Sequence, residues 1–471
     1  MNANQTLQIL LSRLLTEGKD VPSRVGNTKE LTFQSFMVRD PQNRYITAPG
    51  RHVSVPAQIA ETMWVLAGRN DTEWLSAYLP QAPKFADDGE HWRAGYGPRI
   101  RSWNGEDQLE NVIRLLREDP MTRQAVISIW DPASDLTSET LDRPCNNWLH
   151  FLTRDGVLNL NIAIRSNDVM WGWSGINFFE WSVLLEVVAS CTGLKVGNLY
   201  FNVSSLHLYE RHFEKAKRIV ESKAAALLMT SSGSLGLRWS LGLTNLKELD
   251  DQIDLWFRVE GEIRKGHLEM ISQVTDPLLH SWLWAIAYYW GHTEEATDVL
   301  RGTDILPALK LSPKRKIGST DQLVEIMTKL HTEKSRAYGD SWKKRGEIFS
   351  ILPNIARKVD RIIANAETSD ETKLDTAMDL VIYLAKYKTW LESGEGATLE
   401  LENTSVRDVV RGTREQGNLD HAFENVLEAA QGHQFRPIKP VTAIAVNHLL
   451  ELWEGPEGRA LRNNTKSWNP E

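Results

Sequence analysis

A cysteine and an arginine that a β-hairpin would bring together offer the clearest chemistry in this sequence. Cys145 begins one partly apolar run, and Arg165 ends the next, which alternates apolar and polar side chains from residue 157 onward. This period of two predicts a half-buried strand, and the run from Cys145 to Thr153 is its predicted partner. Asp155-Gly156 is the predicted turn, because glycine tolerates the positive φ angle that such hairpins need.

In this predicted hairpin, Arg154 pairs with Val157, and counting back along the two strands places Cys145 opposite Ser166, one step from Arg165. A free thiol has a pKa of about 8.5, so an adjacent guanidinium helps by stabilising the thiolate, which is the form that attacks electrophiles. Cys145 is therefore a candidate nucleophile with Arg165 as its activator. Spacing alone equally supports a second interpretation, in which Cys145 is a small buried side chain, as isolated cysteines usually are.

Length, charge and cysteine content are typical of a soluble enzyme with two domains. The chain has 471 residues, more than one core usually organises, and a net charge of -8 with no basic run that would indicate nucleic-acid binding. Its two cysteines, Cys145 and Cys191, argue against a disulfide framework and fit a reducing compartment. The N-terminus lacks the pattern of a signal peptide, and the apolar segment 277–290 is too short to span a bilayer. We expect a cytoplasmic protein with no membrane or nucleic-acid partner.

A series of short motifs occurs in the first part of the chain. In chain order they are Arg24-Val25-Gly26-Asn27-Thr28, Glu61 through Gly68, Tyr96-Gly97-Pro98-Arg99, Asp119-Pro120 through Arg123, Pro144-Cys145, Arg165-Ser166-Asn167-Asp168, Gly172, Asn177, and His207-Leu208-Tyr209 with His212. Together they resemble, in the same order, the motifs of the thymidylate synthase family, which includes the pyrimidine-nucleotide hydroxymethylases. The resemblance extends to about residue 260. Each motif is weak evidence alone, and their shared order makes the resemblance strong.

The resemblance implies a reaction and a role for each matching residue. Cys145 would add to carbon 6 of a pyrimidine nucleotide, so that carbon 5 attacks the one-carbon unit of 5,10-methylenetetrahydrofolate, with Glu61 ordering the waters that carry protons. The resemblance also implies that the 5′-phosphate is bound by Arg24, Arg165, Ser166 and, from the second subunit of a homodimer, Arg123. The sugar would be bound by His207 and Tyr209, and the folate by Asp168 and Gly172. Tyr96 and Asn177 would complete the catalytic set. Arginine suits phosphate because its fork donates two parallel hydrogen bonds. No metal is implied in this site.

Asn177 bears on the choice of base. An amide both donates and accepts, so it matches the N3–H and O4 edge of uracil, whereas the resemblance implies an aspartate in a cytosine-specific enzyme. This favours dUMP over dCMP. One extra residue separates Gly172 from Asn177 compared with the usual spacing of the family, which leaves dCMP open.

Three departures from the family pattern bear on the product. Asn146 replaces a histidine, the region of Phe85 lacks the paired tryptophans and has only Trp92 nearby, and the chain continues where a synthase closes its site with a free C-terminus. Water exclusion favours hydride transfer and a methyl product, so a wetter site favours addition of water and a hydroxymethyl product. We therefore expect a dUMP hydroxymethylase that makes 5-hydroxymethyl-dUMP. The alternatives are a thymidylate synthase, a dCMP hydroxymethylase and an inactive nucleotide-binding protein.

The resemblance and the pattern of the second half predict the domain organisation. We expect a thymidylate synthase-like three-layer α/β domain with a large mixed sheet at 1–265, a helical connector at 266–316, an all-α domain at 317–393 and a helical extension at 394–471. The all-α segment distantly resembles MazG-type nucleotide pyrophosphohydrolases. Its Glu371, Asp375 and Asp379 recur every four residues on one helix face, where Mg²⁺, Lys358 or Arg361 would offset their repulsion. A solvated acidic face explains the spacing equally well, so hydrolysis is not assigned.

Overall fold

Two units make up the protein in this computed structural model, Met1–Arg315 and Lys316–Glu471. The structure describes residues 1–136, 139–140, 142–222, 246–313, 322–324, 326–328, 330, 341, 344–364, 372–393, 406, 409–410, 412, 414–458 and 461. The division into four segments stays a prediction, since the structure divides the chain into two units.

The first unit is built on a seven-stranded mixed sheet. Its strands are β1 (Lys19–Ser23), β2 (Gly26–Val38), β3 (Val126–Ser128), β4 (Asn146–Arg154), β5 (Val157–Ile164), β6 (Asn167–Asp168) and β7 (Lys195–Tyr209). They lie in the order β1-β2-β7-β5-β4-β3, with β6 also beside β7. β5 and β6 run parallel to β7, and the other neighbouring pairs are antiparallel. The predicted α/β class with a large mixed sheet is confirmed.

Helices pack on this sheet in further layers. The helices of the first unit are α1 (Ala3–Glu17), α2 (Val55–Leu66), α3 (Thr72–Leu75), α4 (Tyr96–Arg101), α5 (Gln108–Glu118), α6 (Pro132–Asp135), α7 (Phe178–Thr192), α8 (Phe213–Glu221), α9 (Leu246–Lys265), α10 (Pro277–Tyr289), α11 (Thr293–Val299) and α12 (Ile305–Leu311). Short 3₁₀ turns lie at Ala82–Phe85, Glu210–His212 and Leu268–Gln273, and a π-helix spans Val169–Asn177. α1 and α7 contact the sheet, α2 and α5 contact α7, and α10 contacts α2.

The hairpin of β4 and β5 forms as predicted, with one difference in register. Arg154 pairs with Val157, and the turn residues Asp155 and Gly156 have φ angles of 54° and 71°. A β-bulge then shifts the pairing between Asn146 and Trp148. Because the bulge adds one residue to β4, the backbone of Cys145 faces Arg165 and not Ser166, and the Arg165 amide donates to the Cys145 carbonyl at 2.9 Å. The predicted register was wrong by one residue at this end.

α7 is the central helix of the unit. It ends before Gly193, whose φ of 70° supplies the left-handed conformation of the helix end. Cys191, near its C-terminal end, is 3% exposed. Almost every other side chain of the helix is buried as well. Such a helix fixes the side chains of its first turn against both the sheet and α2.

The aromatic side chains of Trp282, on α10, and of Trp290, directly after α10, pack inside the first unit. Trp282 donates to the Tyr45 hydroxyl at 3.1 Å, and Trp290 donates to the Tyr78 hydroxyl at 3.0 Å. These contacts extend the hydrophobic core of the first unit into α10. Among the helices of the described residues, none combines the length and the apolar character needed to cross a bilayer.

The second unit is helical where it is described. Its helices are α13 (Leu352–Ile363), α14 (Lys373–Ser393), α15 (Leu419–Gln431) and α16 (Ile438–Glu454), and a π-helical turn spans Glu347–Ile351. Lys358 and Asp379 form an ion pair at 2.8 Å, and Asp375 accepts from the Thr372 amide at the start of α14. Glu371 lies outside the described residues. Within the described part of the chain, no group of three or more histidine, cysteine, aspartate or glutamate side chains is arranged to hold a metal ion.

Candidate functional site

The predicted nucleophile and its activating cation lie together at the end of the hairpin. Nη2 of Arg165 is 4.0 Å from Sγ of Cys145, and the same guanidinium donates to the carbonyls of Arg143 and Pro144 at 3.0 and 2.9 Å. These two hydrogen bonds hold the cation beside the sulfur. Burial raises the pKa of the Cys145 thiol above its ordinary value, while Arg165 lowers it and Asp142 raises it. The arginine therefore offsets part of the cost of burying the Cys145 thiolate.

Asn146, the residue after Cys145, forms hydrogen bonds with two aromatic side chains. Its Nδ2 donates to the Tyr96 hydroxyl at 2.7 Å, and its Oδ1 accepts from Nε1 of Trp181 at 3.3 Å. The rings of Tyr96 and Trp181 lie 5.5 Å apart. Burial, followed by the nearby charges of Cys145 and Glu180, raises the pKa of Tyr96, which keeps the phenol protonated. Asn146 is 0% exposed, so replacement of the family's histidine does not by itself admit solvent.

Two carboxyl groups, of which Glu61 is half-buried and Glu180 is buried, lie behind this network. Glu61 is on α2, and burial raises its pKa to about 7. Glu180 is on the first turn of α7, and its pKa is raised by burial and then by the charge of Glu61, while Asn177 opposes the rise. Two acids that both resist ionisation form a group that can hold or release a proton near neutral pH.

A π-helix places Asn177 over Gly172. An ideal Cβ at Gly172 would be 3.3 Å from Oδ1 of Asn177 and 2.3 Å from Oδ1 of Asn167, so only glycine fits there. A π-helix bonds residue i to residue i+5, one residue more than an α-helix. The extra residue between Gly172 and Asn177 is accommodated by this wider turn, and Asn177 remains beside Glu180 at the start of α7.

The side chains of Arg51 and Gln58 form hydrogen bonds with polar groups of this π-helix. Arg51 donates to the Ser174 hydroxyl at 2.9 Å and to the Met170 carbonyl, and Gln58 donates to the Gly175 carbonyl at 2.8 Å. Arg51 is 7% exposed. These bonds fix the π-helix to α2, the helix that also carries Glu61.

Asp168 and His207 pair across β6 and β7. Asp168 accepts from the Met170 amide at 2.9 Å and caps the π-helix through Oδ1. Its Oδ2 is buried and has no hydrogen-bond partner within the described residues. The rings of His207 and Tyr209 lie 5.3 Å apart. Because the Ser205 amide donates to the Arg165 carbonyl at 3.2 Å, β7 connects Arg165 to the residues predicted to bind the sugar and the folate.

The residues predicted to bind phosphate occupy different parts of the sheet. Arg24 is exposed in the turn between β1 and β2, and Tyr209 pairs with Thr28 close to this turn. Ser166 lies between β5 and β6, beside Arg165. Arg123 is exposed and precedes β3, which is at the opposite edge of the sheet from β1. The structure thus brings Arg24, Arg165 and Ser166 to one side and places Arg123 elsewhere.

An aromatic surface borders Gly172. Trp171 is 48% exposed and Phe85 is 47% exposed, and their ring centroids lie 5.7 Å apart. Phe85 also contacts Trp92, which packs edge-on against Trp64 at 5.4 Å. Exposed aromatic faces of this kind suit a flat ring system.

Three functional candidates were missed from the sequence. Glu180 had a visible signal, since it is a charged residue inside the apolar run from Phe178 to Val188. Trp171 had the weaker signal of an aromatic residue next to Gly172. Arg51 had none, because its partners lie more than a hundred positions away in the chain.

Comparison with known proteins agrees with this arrangement. Residues 5–231 match the family described as Thymidylate synthase. The deoxyuridylate hydroxymethyltransferase of Bacillus phage SP01 is 37% identical over 211 residues, which are 42% of this chain and 55% of that protein. The deoxyuridylate hydroxymethyltransferase of Delftia phage PhiW-14 is 33% identical over 224 residues, which are 45% of this chain and 62% of that protein. The chain thus spans less than two thirds of the length of either relative.

Two further similarities concern thymidylate synthases. That of Buchnera aphidicola subsp. Baizongia pistaciae (strain Bp) is 29% identical over 216 residues, which are 45% of this chain and 81% of that protein. The crystal structure of thymidylate synthase from T4 phage is 26% identical, covers 45% of this chain and 79% of its own, and superposes with a TM-score of 0.39.

Proposed function

Because residues 5–231 form a thymidylate synthase family domain, we propose that the protein transfers a one-carbon unit to carbon 5 of dUMP and releases 5-hydroxymethyl-dUMP. The observation that carries this proposal is the Cys145 sulfur 4.0 Å from Arg165, beside the carboxyl groups of Glu61 and Glu180. The names of the two phage relatives support the hydroxymethyl product.

The nucleophile starts the reaction. Cys145 adds to carbon 6 of the uracil ring, and Arg165 stabilises the thiolate that attacks. Negative charge then develops at the O4 and carbon 5 side of the ring. Glu61, with a pKa of about 7, holds a proton that it can pass to this side at neutral pH. Tyr96 stays protonated and orients Asn146 next to the nucleophile.

The donor of the one-carbon unit is 5,10-methylenetetrahydrofolate in this proposal. When bound, it supplies the carbon that becomes attached to carbon 5. Its rings fit the exposed pair of Phe85 and Trp171, and a polar ring edge would satisfy the buried Oδ2 of Asp168. No metal has a role in this reaction.

Recognition of uracil is assigned to Asn177. The π-helix keeps its amide beside Gly172 and Glu180 despite the extra residue. An amide can accept from N3–H and donate to O4, which matches uracil. dCMP remains the alternative base, and its turnover is an outcome of the test below.

Binding of the nucleotide includes its phosphate and sugar. Arg24, Arg165 and Ser166 would hold the 5′-phosphate, and His207 and Tyr209 would bind the sugar hydroxyl. Arg211 supports this assignment as a further cation, since it lies over the Tyr209 ring at 4.0 Å and donates to the Val25 carbonyl in the β1–β2 turn.

A homodimer would complete the phosphate site with Arg123 of a second subunit. Arg123 is exposed near the β3 edge, away from the turn that holds Arg24. One sheet face near it is open: Val126, 42% exposed, and Tyr200, 39% exposed, lie on the same side of the sheet through the pairs with His150 and Asn161. A second copy packed on that face would cover these apolar side chains.

Tritium release from [5-³H]dUMP in the presence of 5,10-methylenetetrahydrofolate tests the proposal, with [5-³H]dCMP run in parallel. We expect release with dUMP, formation of 5-hydroxymethyl-dUMP and tetrahydrofolate, and no release by Cys145→Ser. Release accompanied by dihydrofolate would identify a thymidylate synthase. Release only with dCMP would identify a dCMP hydroxymethylase, and no release with either nucleotide would leave a nucleotide-binding protein.

A further inference from the structure

Glu180 is a buried acid that no step above requires. Its side chain is 2% exposed, and neither carboxyl oxygen has a hydrogen-bond partner of normal geometry within the described residues. An isolated carboxylate in an apolar environment is strongly destabilised unless a proton, a cation or a polar ligand compensates it. A proton, a cation or a polar ligand must therefore compensate the Glu180 carboxylate during the reaction.

The position of Glu180 is set by the two helices that carry the carboxyl groups. Glu61 is one helical turn from Gln58, whose amide donates to the Gly175 carbonyl at 2.8 Å. This bond holds α2 against the segment that leads into α7. Trp181, the next residue after Glu180, is fixed by its hydrogen bond to Asn146 at 3.3 Å. Both carboxyl groups thus lie on rigid elements next to the Cys145 network.

The charges that face this pair are all acidic or neutral. Glu61 faces Glu180 from α2, Asn177 faces it from the end of the π-helix, and Tyr96 faces it from α4. In the described part of the chain, no lysine, arginine or histidine offsets the charge of either carboxyl. Two carboxyl groups in such surroundings cannot both ionise at neutral pH, so the pair retains one proton.

We propose that Glu180 and Glu61 share one proton and together hold the water that adds to the exocyclic methylene group of the nucleotide, so that Glu180 directs the reaction to the hydroxymethyl product. This inference rests on the proposed function. It makes Glu180 a positioning residue, since it acts through a water and through Glu61.

The step balances in atoms and electrons. After carbon transfer, the nucleotide carries a methylene group at carbon 5 and the Cys145 sulfur at carbon 6. The water oxygen forms a bond to the methylene carbon, and the π electrons move into the ring to give an enolate. The enolate re-forms the carbon 5–carbon 6 double bond and expels the Cys145 thiolate. The proton lost by the water goes to the ionised carboxylate of the pair, and no oxidant or reductant is consumed.

A carboxyl pair is well suited to this step because Glu180 lies in the interior of the unit. Its side chain is 2% exposed, and the neighbouring residues Phe179 and Trp181 are 0% exposed. A buried site holds an ordered water only where polar partners bind it. The pair supplies acceptors for the water and one base for its proton. Hydride transfer, the competing reaction, needs neither a bound water nor a base.

Product analysis of Glu180→Gln tests the inference. Glutamine keeps the size and the polarity of the side chain but accepts no proton. The protein is incubated with dUMP, 5,10-methylenetetrahydrofolate and 2-mercaptoethanol, a thiol that traps the methylene intermediate as a thioether. We expect the fraction of hydroxymethyl product to fall by about tenfold or more, as for loss of a general base, with thioether or dTMP in its place. Tritium release should persist, because it precedes the water step.

Two further variants keep this test interpretable. Ser182→Ala changes another fully buried polar residue of α7, whose hydroxyl donates to the Phe179 carbonyl at 2.6 Å, and should keep the wild-type product ratio. Glu180→Asp retains an acid and should give an intermediate ratio if Glu180→Gln fails to fold. We also expect the hydroxymethyl fraction to depend on pH in the wild type and to lose that dependence in Glu180→Gln.

The outcomes separate the inference from the proposed function. A wild-type product ratio in folded Glu180→Gln, or in Glu180→Asp where Glu180→Gln fails to fold, would overturn the role of Glu180. Absence of tritium release by the wild type and by Ser182→Ala would instead overturn the proposed function.

Discussion

Replacing Glu61 with glutamine should stabilise the protein above neutral pH. Glutamine resembles the protonated carboxyl group in shape and polarity, but it never has to bury a charge. The pKa of Glu61 is about 7 in the folded protein because of burial, against an ordinary value of 4.5. Each pH unit between these values corresponds to about 1.4 kcal/mol, so the difference amounts to about 3 kcal/mol.

The sign follows from the state of the carboxyl group at each pH. Below pH 4.5 it is protonated in the folded and the unfolded chain, and its contribution to stability is fully present. Between this value and about pH 7 only the unfolded chain loses the proton, which makes unfolding progressively easier. Above about pH 7 the loss is complete. Glu61→Gln should therefore match the wild type at acidic pH and exceed it by about 3 kcal/mol at pH 8.

Differential scanning calorimetry at a series of pH values measures this difference. The two units can unfold in separate transitions, so each transition is compared on its own. Glu118→Gln is the matched control, because Glu118 is 60% exposed and pairs only with Arg114 on the surface of α5. It should change stability by about 0.5 kcal/mol or less. A Glu61→Gln difference that stays constant from pH 5 to pH 8 would refute burial as the cause of the raised pKa.

Three further changes have expected outcomes. Arg165→Met should slow alkylation of Cys145 by iodoacetamide at pH 8 by about tenfold, because loss of the guanidinium raises the pKa of the thiol further, and equal rates would contradict the guanidinium contact. Gly197→Ala should lower the free energy of unfolding by about 2 kcal/mol in urea titration, because its Cβ would lie 2.6 Å from Oδ1 of Asn159. Arg51→Met should lower it by about 3 kcal/mol, since it removes the charge-assisted hydrogen bonds from the guanidinium to the Met170 carbonyl and the Ser174 hydroxyl, and a neutral effect would show that these bonds are dispensable.

Local patterns explain what could be predicted from the sequence. The alternation in β5 and the turn at Asp155-Gly156 each depend on neighbouring residues, and both are confirmed. The proximity of Cys145 and Arg165 followed from the same hairpin. Its register was wrong at one end because a β-bulge depends on the strands on both sides, which no period-two pattern contains.

Long-range contacts explain what could not be predicted. The sheet places β7 between β2 and β5, although these strands are far apart in the chain. The carboxyl pair of Glu61 and Glu180 exists only because α2 packs on α7. The charge of Glu180 within an apolar run was visible, but its partner was not. The roles of the individual site residues stay predictions that the proposed assays address.

The π-helix shows how an insertion can be tolerated in a site of this kind. An extra residue in an α-helix would rotate Asn177 away from Gly172 by about 100°, since each residue turns the helix by that angle. A π-turn restores the alignment by bonding residue i to residue i+5, and the Phe178 amide indeed donates to the Trp173 carbonyl. The cost of the irregular turn is offset by bonds from Arg51 and Gln58 to its carbonyls. Because Gln58 shares α2 with Glu61, the same contact that stabilises the insertion also holds the Asn177 amide close to the carboxyl pair.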